Sequence, residues 1–517
     1  MLQRSLLLLL LFTILTYNVK SEEAFYPESS FFAQDTDFFF HTIERGQTVY
    51  SIAATYNVSV EAIYKLNPES KESIQAGSLL KIPQESGSYF FHTIQPKETL
   101  YSVSRLYQMN EEDVVEVNPG LSVDTFTIGK VIRIPTNRVI NTVRSNNELT
   151  AKLNSILEEK SMKNVKIALL LPIGLQENTT TQNASKNRMV EYYEGFLLAL
   201  EELKKAGISV NLQVYDIGSK IDLITSVLKK EEMQNIHLLI GGLTDEQIKL
   251  MSGFANNRGI PYVIPFTSKN EEVLNNHNVF QVNTPQSYLY AKTSLAFYNK
   301  YKSSNIVFFD SAKNADKLEL IEIIKADLDA KGVSHSTISS LKDAASILSE
   351  HKNTVFVASD DSEATLTKLI SELKTVKEKQ PLFSISLFGH PSWQVYTAKY
   401  SADFFRLNAN FYSIFYANPT SSAVKSFHNK YNHWYSRELI NRFPKYGMLG
   451  YDTGMFFIQL LNQYGTSYNV NINKLKYNGV QTDFYFERVN NWGGFINTNT
   501  YLVEFGADYK INVKQIN

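Results

Sequence analysis

Phe40-His41-Thr42-Ile43 returns as Phe91-His92-Thr93-Ile94. The offset of 51 residues between them also carries Thr48 onto Thr99, Tyr50-Ser51 onto Tyr101-Ser102, Tyr56 onto Tyr107 and Asn67-Pro68 onto Asn118-Pro119. Recurrence at a fixed offset marks a repeated supersecondary unit. One further residue enters before the end, so Leu80-Lys81-Ile82-Pro83 meets Ile132-Arg133-Ile134-Pro135 at an offset of 52. Residues 40–43 form a short β-prone run. Thr48 is placed to cap a helix that carries Val49, Ile52, Ala53 and Tyr56 at helical spacing, and Ser59 to cap a second with Ile63 and Leu66. Asn67-Pro68 ends that helix, and residues 79–82 return as a second strand. Each unit is predicted to be β-α-α-β.

These residues resemble the LysM domain, whose pattern is a G-D-T-L/I turn leading into a helix, a central N-P or N-N, and a closing G-x-x-L-x-I-P. The copy at 40–83 carries Gly46-Gln47-Thr48-Val49-Tyr50-Ser51-Ile52-Ala53, then Asn67-Pro68, then Gly77-Ser78-Leu79-Leu80-Lys81-Ile82-Pro83. The copy at 91–135 has Lys97-Glu98-Thr99-Leu100 where a glycine normally opens the turn, so it is expected to be the weaker site. The resemblance implies binding of N-acetylglucosamine-containing glycans in a shallow groove between two loops. That groove would involve Gly46, Gln47, Thr48, Val49, Leu66, Asn67 and Pro68 in the first copy, and Glu98, Thr99, Leu100, Val117, Asn118 and Pro119 in the second. Thr48 and Asn67 equally suit helix capping and turn formation, and both roles can coexist. Tandem weak modules gain avidity on a polymer such as peptidoglycan, with chitin the other candidate.

Residues 136–163 shift to Asn, Arg, Glu and Lys and read as a linker, while 22–39 form an acidic, aromatic lead-in. From 164 to 517, buried-type strands alternate with amphipathic helices. Residues 165–171 lead into a helix over about 188–206, and the alternation continues through 236–240, 262–265, 306–309 and 354–357. This pattern specifies an α/β fold with mostly parallel sheets, long enough for two lobes. Its landmarks resemble the type 1 periplasmic-binding fold of Leu/Ile/Val-receptor-like amino-acid ABC transporter substrate-binding proteins. They are Ile167-Ala168-Leu169-Leu170-Leu171-Pro172, Tyr193-Glu194-Gly195-Phe196, Ile240-Gly241-Gly242-Leu243-Thr244, Ile264-Pro265-Phe266-Thr267-Ser268, Val279-Phe280-Gln281-Val282 and Gly450-Tyr451-Asp452-Thr453. The resemblance implies a small-molecule cleft between the lobes. Thr244, Thr267, Ser268, Asp310, Tyr451 and Asp452 are its candidate residues, although Thr, Ser and Asp are also the favoured helix caps. Gly241-Gly242-Leu243-Thr244-Asp245 lacks the run of small hydroxyl residues that an amino-acid carboxylate would want. Residues 484–513 read as a hairpin appended to the second lobe, with Trp492 either covering the turn or offering a sugar-stacking platform.

The 517 residues exceed one core and call for three or four domains. With 51 basic and 52 acidic residues and no long basic run, nucleic acid is excluded as a partner. Zero cysteines rule out disulfides, thiol catalysis and thiolate metal sites. Arg4, an apolar run over 6–15 and Val19-Lys20-Ser21 read as a signal peptide over 1–21, too short to span a bilayer and followed by no second such stretch. The protein is therefore expected in the periplasm or cell envelope, bound to the wall.

No HExxH, GxSxG or Walker A motif occurs, and His428 and His433 stand five apart without a ligand partner. The chain reads as a binding protein, not an enzyme, with no cofactor and no metal. A wall-held receptor for a small solute is the first expectation. A regulator or scaffold of peptidoglycan synthesis, acting through an envelope protein partner, is the second, and a wall hydrolase the third.

Overall fold

The computed structural model describes residues 38–135 and 161–516, apart from 45, 72–73, 85–88, 108, 123, 176–182, 311–314, 342–343 and 349. The expected signal peptide, most of the lead-in and most of the linker lie outside the described residues.

Each repeat is a two-stranded antiparallel sheet flanked by two helices. In the first module, β1 (Phe38–Thr42) pairs with β2 (Leu79–Pro83) around helices Val49–Tyr56 and Val60–Leu66. In the second, β3 (Tyr89–Thr93) pairs with β4 (Val131–Pro135) around helices Leu100–Leu106 and Glu111–Glu116. The caps are those anticipated. Ser51 N donates to Thr48 Oγ1 and Thr48 N to Ser51 Oγ, and Ser102 and Thr99 repeat the exchange. The modules also touch each other. Phe39 stacks on Phe91 at 5.1 Å between centroids, Thr93 Oγ1 donates to Phe40 O at 2.6 Å, and Lys130 pairs with Glu44.

The rest of the described chain forms two lobes, each on a seven-stranded sheet. The first holds the parallel strands β5 (Asn164–Leu171), β6 (Ser209–Asp216), β7 (Leu238–Gly241), β8 (Tyr262–Ile264) and β9 (Val279–Gln281). The second holds β10 (Asn305–Phe309), β11 (His335–Ile338), β12 (Thr354–Ala358), β13 (Ile385–Gly389) and β14 (Ala409–Ser413). After these come β15 (Phe486–Arg488), β16 (Phe495–Asn497), β17 (Tyr501–Phe505) and β18 (Ile511–Gln515). The sheet orders are β15-β16-β9-β8-β7-β5-β6 and β11-β10-β12-β13-β14-β17-β18. Val165, Ile167, Leu169 and Leu171 face one side of β5 and Ala168 and Leu170 the other, all fully buried, because helices cover both faces.

The Gly195 and Gly450 landmarks are packing features. Helix Asn183–Lys205 crosses helix Tyr446–Tyr464 so closely that a Cβ on Gly195 would lie 1.7 Å from Gly447 O, and one on Gly450 2.0 Å from Tyr192 O.

The expected single hairpin over 484–513 is in fact two. β15–β16 joins the first lobe beside β9, and β17–β18 joins the second beside β14. Between them Asn497-Thr498-Asn499-Thr500, all buried, carries the chain from lobe to lobe, and Thr284 Oγ1 donates to Asn497 O at 2.7 Å. Buried amides and hydroxyls satisfy the backbone of a crossing strand there, which a reading of alternation alone mistook for one continuous hairpin.

The β15–β16 turn also resolves the two readings of Trp492, which is 3% exposed and faces the modules. Its ring centroid lies 6.0 Å from Tyr56 and 5.8 Å from Phe91, and the Arg133 guanidinium sits 4.5 Å above it. Four hydrogen bonds complete the seat: Gly120 N to Asn491 O, Asn491 Nδ2 to Val131 O, Arg133 Nη2 to Asn275 Oδ1, and Asn275 Nδ2 to Ala54 O. Truncating a buried Trp costs about 3–5 kcal/mol. Trp492→Ala should therefore uncouple the modules from the first lobe, and calorimetry should show one transition becoming two. An unsplit transition at the wild-type temperature would refute the coupling.

Candidate functional site

The loop that opens each module is shaped from within by a buried histidine. His41 Nδ1 lies 2.7 Å from Tyr56 Oη and Nε2 2.7 Å from Gln47 Oε1, which also accepts from Glu44 N. Because Gln47 Oε1 can only accept, the assigned tautomer carries its proton on Nε2. Burial lowers the His41 pKa and favours this neutral form. The second module replaces Gln47 by Glu98, whose Oε2 lies 2.7 Å from His92 Nε2 and accepts from Gln95 N. Burial would raise the Glu98 carboxyl, but these hydrogen bonds outweigh it and hold the group below its ordinary value.

Asn67 and Asn118, expected in the glycan groove, are spent on the backbone. Asn67 Nδ2 donates to Ile63 O and Lys81 O while its Oδ1 accepts from Lys81 N, and Asn118 repeats this with Val114 O, Arg133 O and Arg133 N. Both side chains are buried, as is Val49, while Leu66, Leu100 and Val117 are half-buried. Exposed in the two loop pairs are Thr48, Pro68, Thr99 and Pro119.

The missing glycine of the second module does not change its turn. Gly46 has φ +85°, and Lys97, its counterpart, takes φ +70°. What Gly46 permits is contact with the first lobe, since a Cβ there would lie 2.5 Å from Ser287 O.

Beside this contact lies a cavity of about 620 Å³. Gly46, Thr48 and Tyr50 line it from the module; Asp245, Ser268 and Glu271 line it from the first lobe. Gln281, fully buried, lines it too, and its Oε1 has no donor.

The six expected cleft residues are dispersed. Thr244 caps helix Asp245–Arg258, Thr267 Oγ1 accepts from Lys269 N, and Ser268 reaches the cavity. Asp310 is exposed at the end of β10 in the second lobe. Tyr451 and Asp452 do not open a helix but lie within Tyr446–Tyr464. Tyr451 packs on Phe427. The Asp452 carboxylate, wholly buried, accepts from Val480 N, Gln481 N, Thr482 N and Tyr477 Oη, so it anchors a loop and is not offered to a ligand. Burial pushes its pKa up to about 6 against the pull of those donors. Asp245, Glu271, Gln281 and Tyr50 were not foreseen, because no local pattern joins residues that only tertiary contact brings together.

Among the described residues no His, Cys, Asp and Glu cluster could hold a metal, and no helix is long and apolar enough to cross a membrane.

Residues 41–83 and 92–135 match the LysM domain model. Over 97 residues the chain is 30% identical to a Bacillus subtilis protein, YdhD, named as a sporulation-specific glycosylase; the match covers 19% of this chain and 22% of that one. A Rhodospirillum rubrum protein named as a branched-chain amino acid ABC transporter is similar in structure, with 11% identity, 68% of this chain and 100% of that one covered, and a TM-score of 0.50. A Desulfitobacterium hafniense ABC transporter substrate-binding protein in complex with Leu shows 14% identity, 68% and 100% coverage and a TM-score of 0.40. The chain thus carries two LysM domains followed by an α/β domain of the type 1 periplasmic-binding fold.

Asn67→Ala would take the side-chain partner from Lys81 N and O, and Asn118→Ala would do the same to Arg133 N and O, and each should cost about 2–3 kcal/mol. Hydrogen exchange should show the altered module opening first, and unchanged protection would contradict the structural role. Glu98→Gln tests the second loop. A carboxyl held low in the folded state contributes stability above its unfolded pKa, and that stability is lost as pH falls through the folded value. The variant should therefore be less stable than the wild type by about 1 kcal/mol near neutral pH, with the gap closing in acid; a gap independent of pH would show that the charge is not involved.

Proposed function

We propose that this is an exported, cell-wall-associated protein that binds N-acetylglucosamine-containing glycan, peptidoglycan foremost, through its LysM pair, and presents a solute-receptor-like domain at the wall. The observation that carries this reading is the tandem of LysM domains held side by side with Thr48, Pro68, Thr99 and Pro119 exposed on their loops. Two weak contacts on one polymer chain raise avidity without any new contact. The basic and apolar start of the sequence supports export.

A second reading, a non-transport scaffold of envelope synthesis, draws support from one feature. The cavity that gathers Ser268 opens toward the first module, and none of Asp310, Tyr451 and Asp452 lines it. A receptor of the transport kind would converge its polar groups between lobes.

The full-length protein should co-sediment with purified sacculi, and a variant lacking residues 38–135 should stay in the supernatant. Equal pelleting of the two would reject the assignment. Retention on chitin in place of sacculi would redirect the glycan preference.

A further inference from the structure

The cavity between the first module and the first lobe has the features of a built site. Its volume of about 620 Å³ falls in the range of small-ligand pockets. One wall is the LysM loop itself, with Gly46 and Thr48, and the other comes from the loops and helix ends at the carboxyl edge of the first-lobe sheet.

Its chemistry is one-sided. Asp245, Glu246, Glu271 and Glu272 line it against Lys249 and Lys269. Asp245 Oδ1 accepts from Asn270 Nδ2, at 3.0 Å. Partial burial, and then the neighbouring charge of Asp245, raise the Glu271 pKa, so the two carboxylates lie close enough to feel each other. Gln281 adds an independent observation. Its Nε2 is used on Thr267 O and Asn283 O, and its wholly buried Oε1 lacks a donor. A buried acceptor without a partner is costly, and a ligand N–H or O–H would satisfy it.

We propose that this cavity is a joint site for an amine-bearing glycopeptide, with the sugar on the Gly46–Thr48 loop, the ammonium group between Asp245 and Glu271, and an amide or hydroxyl donor on Gln281. The assignment rests on the reading of the LysM pair as a glycan binder, and it gives the two-lobed domain a ligand that is the decorated form of the same polymer. It also gives the docking of module and lobe a purpose, since neither half of the site suffices without the other.

Calorimetric titration of the full-length protein tests it with four probes: a muramidase-released disaccharide–peptide with a free side-chain amine, the same molecule with that amine acetylated, the disaccharide without peptide, and a free diamino acid. The free-amine glycopeptide should bind about tenfold more tightly than its acetylated form, the loss expected for one charge-assisted contact. Glu271→Gln should shrink that ratio toward one, and Asp245→Asn should do the same, with thermal melting of each variant checking that it is folded. Equal binding of the free and acetylated forms, an unaltered ratio in both variants, or a diamino acid that binds as tightly as the glycopeptide would each overturn the joint site. In those cases sacculus pelleting survives; only loss of disaccharide binding and pelleting together would remove the underlying reading as well.

Discussion

A single tryptophan seated in an aromatic socket sets the form of this molecule. Modules of this length bury little surface by themselves, and the chain has no cysteine with which to staple them. They gain core by sharing it: Phe39 stacks on Phe91, and Trp492 from the far end of the chain fills the space between Tyr56, Phe91 and Arg133. Trp492 belongs to the same apolar cluster as Ile52, Ile63 and Ile82 of the first module. A residue contributed by one domain thus completes the core of another, which fixes their relative placement.

The two modules show how a loop survives a change of chemistry. Gln47 and Glu98 make equivalent bonds to a buried histidine, one neutral and one charge-assisted. Gly46 and Lys97 take the same left-handed backbone, which a lysine adopts at some conformational cost. The copies are therefore alike in shape and unlike in surroundings. The first has the carbonyl of Ser287 where a side chain would be, and the second turns its Asn118-Pro119-Gly120 segment to the Trp492 hairpin.

Within the two-lobed domain, groups of the kind that make ligand sites are used for structure. Asp452 organises residues 477–482 through three amides and a phenol, and Asn497 to Thr500 carry the chain between lobes. A buried carboxylate or amide in a receptor-like fold is thus not by itself a ligand contact. Its free valence decides: Asp452 has its acceptors filled, whereas Gln281 has an acceptor open.

The repeat, the β-α-α-β units, the capping roles of Thr48 and Thr99 and the α/β alternation were all legible in the chain, because they depend on residues within one or two helical turns or on a period that recurs. The LysM pattern was legible for the same reason, and so was the absence of any thiol chemistry. Local reading also singled out Asn67 and Asn118, but it could not say whether their amides faced a sugar or a strand. Three matters were decided only by the tertiary structure. The segment 484–513 divides between lobes, Trp492 faces inward to the modules, and the first LysM loop shares a cavity with Asp245, Glu271 and Gln281. Each depends on contacts between segments separated by hundreds of residues, and no periodicity or spacing along the chain encodes a contact that the folding of both partners must first create.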